Sequence, residues 1–197
     1  MKILAFADTH GNKAALGRVI KKAEQADILV CAGDITNWGE KLEELVENIE
    51  KTKKPLIIIP GNHETAEQIQ SISKKFKFVI PLHKGSYELN KYLFFGYGGG
   101  GFSKEEPELA RIIHKFKETI KKDSKIILIT HAPPQNTKLD FLIYTGHVGC
   151  KTVTDFIKEI KPILAISGHL HENFKKIDTI NGTKLINPGP DGKIIEI

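Results

Sequence analysis

Residues 163–171 read ILAISGHLH: the apolar run Ile163-Leu164-Ala165-Ile166 stops at a small polar step and then meets two histidines, His169 and His171. A short, unbroken run of Ile, Leu and Ala has the pattern of a strand covered on both faces. In an extended chain, side chains two residues apart point the same way, so the two imidazoles should meet at one spot beyond the strand. The pattern recurs four times. KILAFA (2–7) ends in Asp8-Thr9-His10, and ILVCA (28–32) ends in Gly33-Asp34. LIII (56–59) leads to Gly61-Asn62-His63-Glu64, and IILIT (126–130) to His131.

Between these runs the period changes. Leu16, Val19, Ile20 and Ala23 are spaced i, i+3, i+4, i+7, and so are Leu42, Leu45, Val46 and Ile49. Leu109, Ile112, Ile113 and Phe116 repeat the spacing, as do Val153, Phe156, Ile157 and Ile160. Each stripe marks an amphipathic helix with a core-facing side. Two regions break the alternation. Residues 76–98 carry three short strand patterns with no helix between them. Asn181-Gly182 is a two-residue hairpin turn, after which GKIIEI supplies a last strand. The expected fold is α/β: two mixed β-sheets packed as a sandwich and flanked by helices, in four layers.

The chain of 197 residues fits one domain, 1–197, with no linker or repeat inside it. Its formal charge of +5 comes from lysines scattered in pairs such as Lys21-Lys22 and Lys121-Lys122, not from one basic stripe. A nucleic-acid surface is therefore possible but not favoured. No run approaches the ~18 apolar residues of a membrane helix. The opening MKILAFAD turns acidic too soon for a secretion signal, so a cytoplasmic, soluble protein is expected. Cys31 and Cys150 have no metal-site spacing, and Cys31 lies in an apolar run as a buried thiol would.

In open α/β sheets, ligands bind beyond the carboxyl ends of the strands. Five strand ends here deliver Asp8, His10, Asp34, Asn62, His131, His169 and His171 to one edge. The set contains no cysteine, which argues against a closed structural zinc site. Imidazole, carboxylate and amide oxygen together suit manganese, iron, zinc or cobalt. Seven donors are too many for one ion, but they suit two ions if one carboxylate bridges. Two dications against two carboxylates leave positive charge for a hydroxide and a phosphate ester.

At these residues the sequence resembles the calcineurin-like metallophosphoesterases. DTH (8–10), GD (33–34), GNHE (61–64), TH (130–131) and GHLH (168–171) follow one another in that family's order. THAPPQNTKLD, the HVG at 147–149 and the INPGP at 186–190 are similar to its small single-domain members. The resemblance implies a first metal on Asp8, His10 and His171, and a second on Asn62, His131 and His169. Asp34 would bridge them, and His63 would stand beside the leaving group as the catalytic histidine. It implies hydrolysis of phosphodiesters, and secondarily phosphomonoesters, by a hydroxide bridging two divalent ions. Manganese is the first expectation, with nickel, cobalt, iron or zinc as alternatives, and the substrate would be a small phosphate ester. Many relatives carry an acidic residue where this chain has Asn37. A nuclease would need a basic groove at the metal edge. A non-catalytic scaffold of the same fold would be expected to lose His63 or a ligand, and this chain keeps all eight positions.

Several residues have plainer readings. Gly98–Gly101 does not fit a P-loop and reads as a strand-end turn on the rim. His147 is a candidate substrate-binding residue. His83 and His114 are expected at the surface. Trp38 and Tyr97 can serve as pocket walls or as packing residues.

Overall fold

The computed structural model describes residues 1–197. In chain order the strands are β1 (Lys2–Phe6), β2 (Ile28–Cys31), β3 (Leu56–Ile58), β4 (Val79–Pro81), β5 (Gly85–Leu89), β6 (Tyr92–Tyr97) and β7 (Lys125–Thr130). Then come β8 (Phe141–Leu142), β9 (Gly146–His147), β10 (Leu164–Ile166), β11 (Ile177–Ile180), β12 (Thr183–Ile186) and β13 (Lys193–Glu196). One sheet runs β13-β1-β2-β3-β4, the other β11-β12-β10-β7-β6-β5, and β8 pairs only with β9. The inner strands of both sheets are parallel, so their carboxyl ends share an edge. Antiparallel partners close the margins, as β13 does beside β1 and β11 beside β12.

The period of two along each strand divides its side chains between two cores. Ile3, Ala5, Ile28, Val30 and Ile57 face the second sheet, where they meet Phe94, Ile127, Ile129 and Ile166. Leu4, Phe6, Leu29, Cys31, Leu56 and Ile58 face outward onto helices α1 (Lys13–Lys22), α2 (Leu42–Glu50) and α3 (Ala66–Lys75). On the other side Leu93, Phe95, Leu128 and Ala165 meet α4 (Pro107–Thr119) and α5 (Lys151–Ile160). This is the expected helix–sheet–sheet–helix sandwich. Burial on both faces is why β2, β3 and β10 are apolar throughout, while β1 and β7 carry polar residues only at their ends. No helix is long and apolar enough to cross a membrane.

Two elements differ from the sequence expectation. The four striped helices form, but α3 is a fifth. Its apolar face is only Ile69 and Ile72, too narrow to register as a stripe. Its start is fixed by a capping box: the Thr65 hydroxyl accepts the Gln68 amide at 3.2 Å and the Gln68 side chain accepts the Thr65 amide at 2.8 Å. The small β8–β9 hairpin is also new. The Asn181-Gly182 turn joins β11 to β12 as expected, with φ of 48° and 88°.

Candidate metal centre

The chain does not stay extended through His169 and His171. β10 stops at Ile166, the Leu170 amide bonds back to the Gly168 carbonyl at 2.9 Å, and a single 3-10 turn begins at His171. The two imidazoles therefore part. His171 joins Asp8 and His10, whereas His169 joins Asn62 and His131. The extended i, i+2 reading is corrected here: the pair serves two neighbouring groups and not one spot.

In the first group the Nε2 atoms of His10 and His171 lie 3.1 Å apart, and both lie within 4.8 Å of an Asp8 carboxylate oxygen. In the second, the Asn62 side-chain oxygen sits 3.0 Å from His131 Nε2 and 3.0 Å from His169 Nδ1. Asp34 lies between the groups, its Oδ2 3.3 Å from His131 Nε2 and 3.9 Å from His10 Nε2. All seven expected ligands thus converge at the common strand edge.

Whether these residues suit a cation is decided at His131. Its Nδ1 lies 2.9 Å from the Ala32 carbonyl, which can only accept, so Nδ1 carries the hydrogen. The Nε2 lone pair then points at two oxygen lone pairs, those of Asn62 and Asp34. In a fully buried position this is repulsive unless a proton on Nε2 or a metal cation stands between them. The electrostatics agree. Burial works against a charged His131, but the hydrogen bond and negative charge of Asp34 outweigh it and raise its pKa. Burial likewise pushes Asp34 up, yet His131 holds it below the usual carboxylate range. Burial lowers His10 and takes His169 down to about 4, so both rings offer lone pairs at neutral pH. It also lifts Asp8 to about 7.

The backbone is bent to aim these groups. Asp8, His10, Asp34 and His169 have φ of 57°, 45°, 53° and 71°, a region costing non-glycine residues about 1–2 kcal/mol each. Small residues let the loops touch. A Cβ on Gly61 would lie 2.0 Å from Asp34 Oδ1, and one on Gly168 would lie 2.6 Å from Asp8 Oδ2.

Two positioning residues have no role in the sequence reading. The buried Glu64 carboxylate accepts the amides of Asp34 (3.0 Å), Thr36 (2.7 Å) and Gly61 (3.1 Å), together with the Thr36 hydroxyl (2.6 Å). It joins the loop after β2 to the loop after β3. The Asn187 side chain donates to the Leu170 carbonyl at 3.2 Å and accepts the Gly189 amide at 3.0 Å, clasping the loop that carries both histidines. The motif letters GNHE and INPGP held both signals.

His63 borders the cluster. Its backbone amide bonds to Asp34 Oδ1 at 2.9 Å, and its Nε2 is 3.9 Å from Asp34 Oδ2. Its Nδ1 accepts the Trp38 backbone amide at 3.2 Å, which assigns the ring hydrogen to Nε2. Trp38 is 71% exposed and its ring lies 4.2 Å from the His63 ring, so it is a wall of the site; Tyr97 is a packing residue.

His147 does not line the metal cleft. It bonds to the buried Asp140 at 2.7 Å and faces a separate cavity with Lys138 and Lys176. The place expected for it in the substrate pocket is therefore not met at the metal cleft; its ring holds the β8–β9 hairpin to the loop before it. His83 is half-buried, not a surface residue, and its Nδ1 accepts the Gly98 amide at 3.0 Å, anchoring the glycine run. His114 is exposed as expected.

Fold and donor set together define a metal-binding phosphoesterase scaffold. The family model of the calcineurin-like phosphoesterases matches residues 1–173, and the chain belongs to that family. It is 31% identical to an uncharacterized protein, MJ1162, of Methanocaldococcus jannaschii, over 96% of this chain and 88% of that one. It is 24% identical to a probable glycerophosphodiester phosphodiesterase, GpdQ, of Arcobacter nitrofigilis, over 74% of this chain and 56% of the relative. The crystal structure of TT1561 of Thermus thermophilus superposes with a TM-score of 0.78 at 17% identity, covering 96% and 90% of the two chains.

Two outcomes follow. Glu64→Ala strands three buried amides at roughly 1–3 kcal/mol each, so the metal-free protein should lose about 3 kcal/mol or more in a denaturant titration. A loss under about 1 kcal/mol would contradict the clamp. The second concerns pH. Asp8 has its pKa raised from 3.8 to about 7, so its neutral form favours the fold, and that contribution fades as pH rises through about 7. A cation needs the ionised carboxylate and a His131 Nε2 free of its hydrogen. The rise in Tm on adding manganese should therefore be larger at pH 8 than at pH 5.5; equal shifts would count against it.

Proposed function

We propose that this chain is a two-metal phosphodiesterase, with phosphomonoesters as secondary substrates. The observation that carries the reading is the pair of donor groups sharing Asp34 with His63 at their border. Asp8, His10, His171 and Asp34 would hold one divalent ion, manganese first among nickel, cobalt, iron and zinc; Asp34, Asn62, His131 and His169 would hold the other. Bound there, such ions supply positive charge for the phosphoryl oxygens and make water acidic enough to serve as nucleophile.

The chain's own residues account for the rest. The Trp38 amide occupies Nδ1 of His63, so Nε2–H is the proton available to a departing alkoxide. The His63 amide on Asp34 Oδ1 fixes the distance between that ring and the metal-binding carboxylate. The cleft, about 300 Å³, is open to solvent, which suits a phosphorus with two ester arms better than an enclosed monoester site. The relative named as a glycerophosphodiester phosphodiesterase is consistent with diesters.

A nucleic-acid substrate is disfavoured by the cleft itself. Its lining includes carboxylates of Asp34 and Glu172 but no lysine or arginine, whereas phosphate-backbone binding depends on such cations. Many surface lysines are instead paired, as in Lys13–Glu44, Lys84–Glu108 and Lys121–Glu88.

His63→Ala should keep its bound metals and lose roughly 10²–10⁴-fold in kcat on a diester with an alkyl leaving group. The loss should be smaller with 4-nitrophenolate, which departs without a proton. Wild-type turnover by the variant on the alkyl ester would remove His63 from the mechanism.

A further inference from the structure

Seven large apolar side chains are exposed, and five of them (Trp38, Phe102, Phe141, Ile143 and Tyr144) stand on three loops around the metal cleft. Single exposed apolar residues are ordinary, but a cluster bordering a site marks a binding surface. Trp38 lies against His63. Phe102 packs its ring edge-on against His169 at 4.6 Å. The β8–β9 hairpin supplies the remaining three, with Ile143 84% and Tyr144 99% exposed at its tip.

That hairpin also borders a second cavity of about 360 Å³, lined by Phe141, Leu142, Ile143, Tyr144 and Thr145 on one side and by Glu172, Asn173 and Lys176 on the other. Leu142 and Glu172 line the metal cleft as well, so the two spaces adjoin. A diester has two arms. With the leaving alcohol directed to His63 and Trp38, the retained arm is free to reach the hairpin. Nothing on the hairpin side of this second cavity is charged, and four of the five residues there are aromatic or aliphatic, facing the polar side chains of Glu172, Asn173 and Lys176. A small polar arm such as glycerol would gain little there. A flat or bulky apolar arm would bury its surface.

Resting on the phosphodiesterase reading above, we propose that the β8–β9 hairpin forms an apolar subsite beside the metal centre that selects phosphodiesters whose retained ester group is aromatic or otherwise large and apolar. Leu142 is the hinge between the two spaces, and Tyr144 and Ile143 close over the occupant. These are specificity residues and leave the attack on phosphorus to the cleft.

The test uses the manganese-loaded full chain with methyl 4-nitrophenyl phosphate and benzyl 4-nitrophenyl phosphate, which lose the same nitrophenolate and differ only in the retained arm. The benzyl ester should be favoured about tenfold or more in kcat/KM, chiefly through KM. In the double variant Ile143→Ser, Tyr144→Ser that ratio should fall toward unity with metal content unchanged. A wild-type ratio below about two, or a ratio the variant does not move, overturns the subsite. So does a dimer by light scattering that the variant dissociates while the ester ratio stays put, since the hairpin would then be a contact between copies. If neither ester is cleaved, the phosphodiesterase reading fails. The subsite is then judged by binding: a tenfold preference for benzylphosphonate over methylphosphonate retains it, and equal affinity overturns it.

Discussion

The Glu64 carboxylate sits buried between the ends of β2 and β3, accepting three backbone amides and one hydroxyl. Each of those amides belongs to a loop that has just left its strand and has no ladder partner. Buried and unpaired, they would each cost on the order of 1–3 kcal/mol. Satisfied by one anion, they fix Asp34 and Asn62 relative to each other, and with them the border between the two donor groups. A salt bridge would need a cation at this position; Glu64 uses backbone dipoles instead, so its negative charge adds to that of Asp8 and Asp34. The centre therefore gathers anionic charge and lone pairs in a buried space, a condition that a divalent cation relieves.

The same edge explains where polar chemistry can exist in this fold. With helices outside and the second sheet inside, β1, β2, β3, β7 and β10 are apolar between their ends, and polar groups gather in the turns that follow. Those turns are short and strained, and Asp8, His10, Asp34, Trp38 and His169 all adopt positive φ. Backbone strain here has an evident use: it turns consecutive side chains toward one centre where an extended chain would alternate them. The turn after β10 also separates His169 from His171, assigning two adjacent-looking histidines to different groups.

Much of this was legible in the residues. Uniform apolar runs and helical stripes gave the layers, and the recurrence of Asp, Asn and His after each run gave the donor set. Other features were hidden for physical reasons. Helix α3 presents only Ile69 and Ile72 to the core and is specified by its Thr65–Gln68 cap, so periodicity could not reveal it. Sheet membership of β4 and β5, neighbours in sequence but in different sheets, depends on long-range pairing that local pattern does not carry. Glu64 and Asn187 look like loop residues until their backbone partners are visible. His83 and His147 bear no sequence mark separating a loop anchor from a site residue; only the Gly98 amide and the Asp140 carboxylate reveal their work.

The proposed activity requires two ions in one shared donor set, Asp8, His10, Asp34, Asn62, His131, His169 and His171. That requirement is tested most directly by stripping the protein of metal and titrating manganese back while following hydrolysis of bis(4-nitrophenyl) phosphate and counting bound ions in the same samples. Activity should be absent without metal and climb to its plateau as occupancy approaches two ions per chain. Full activity in the stripped protein, or silence with two ions bound, would contradict the proposal.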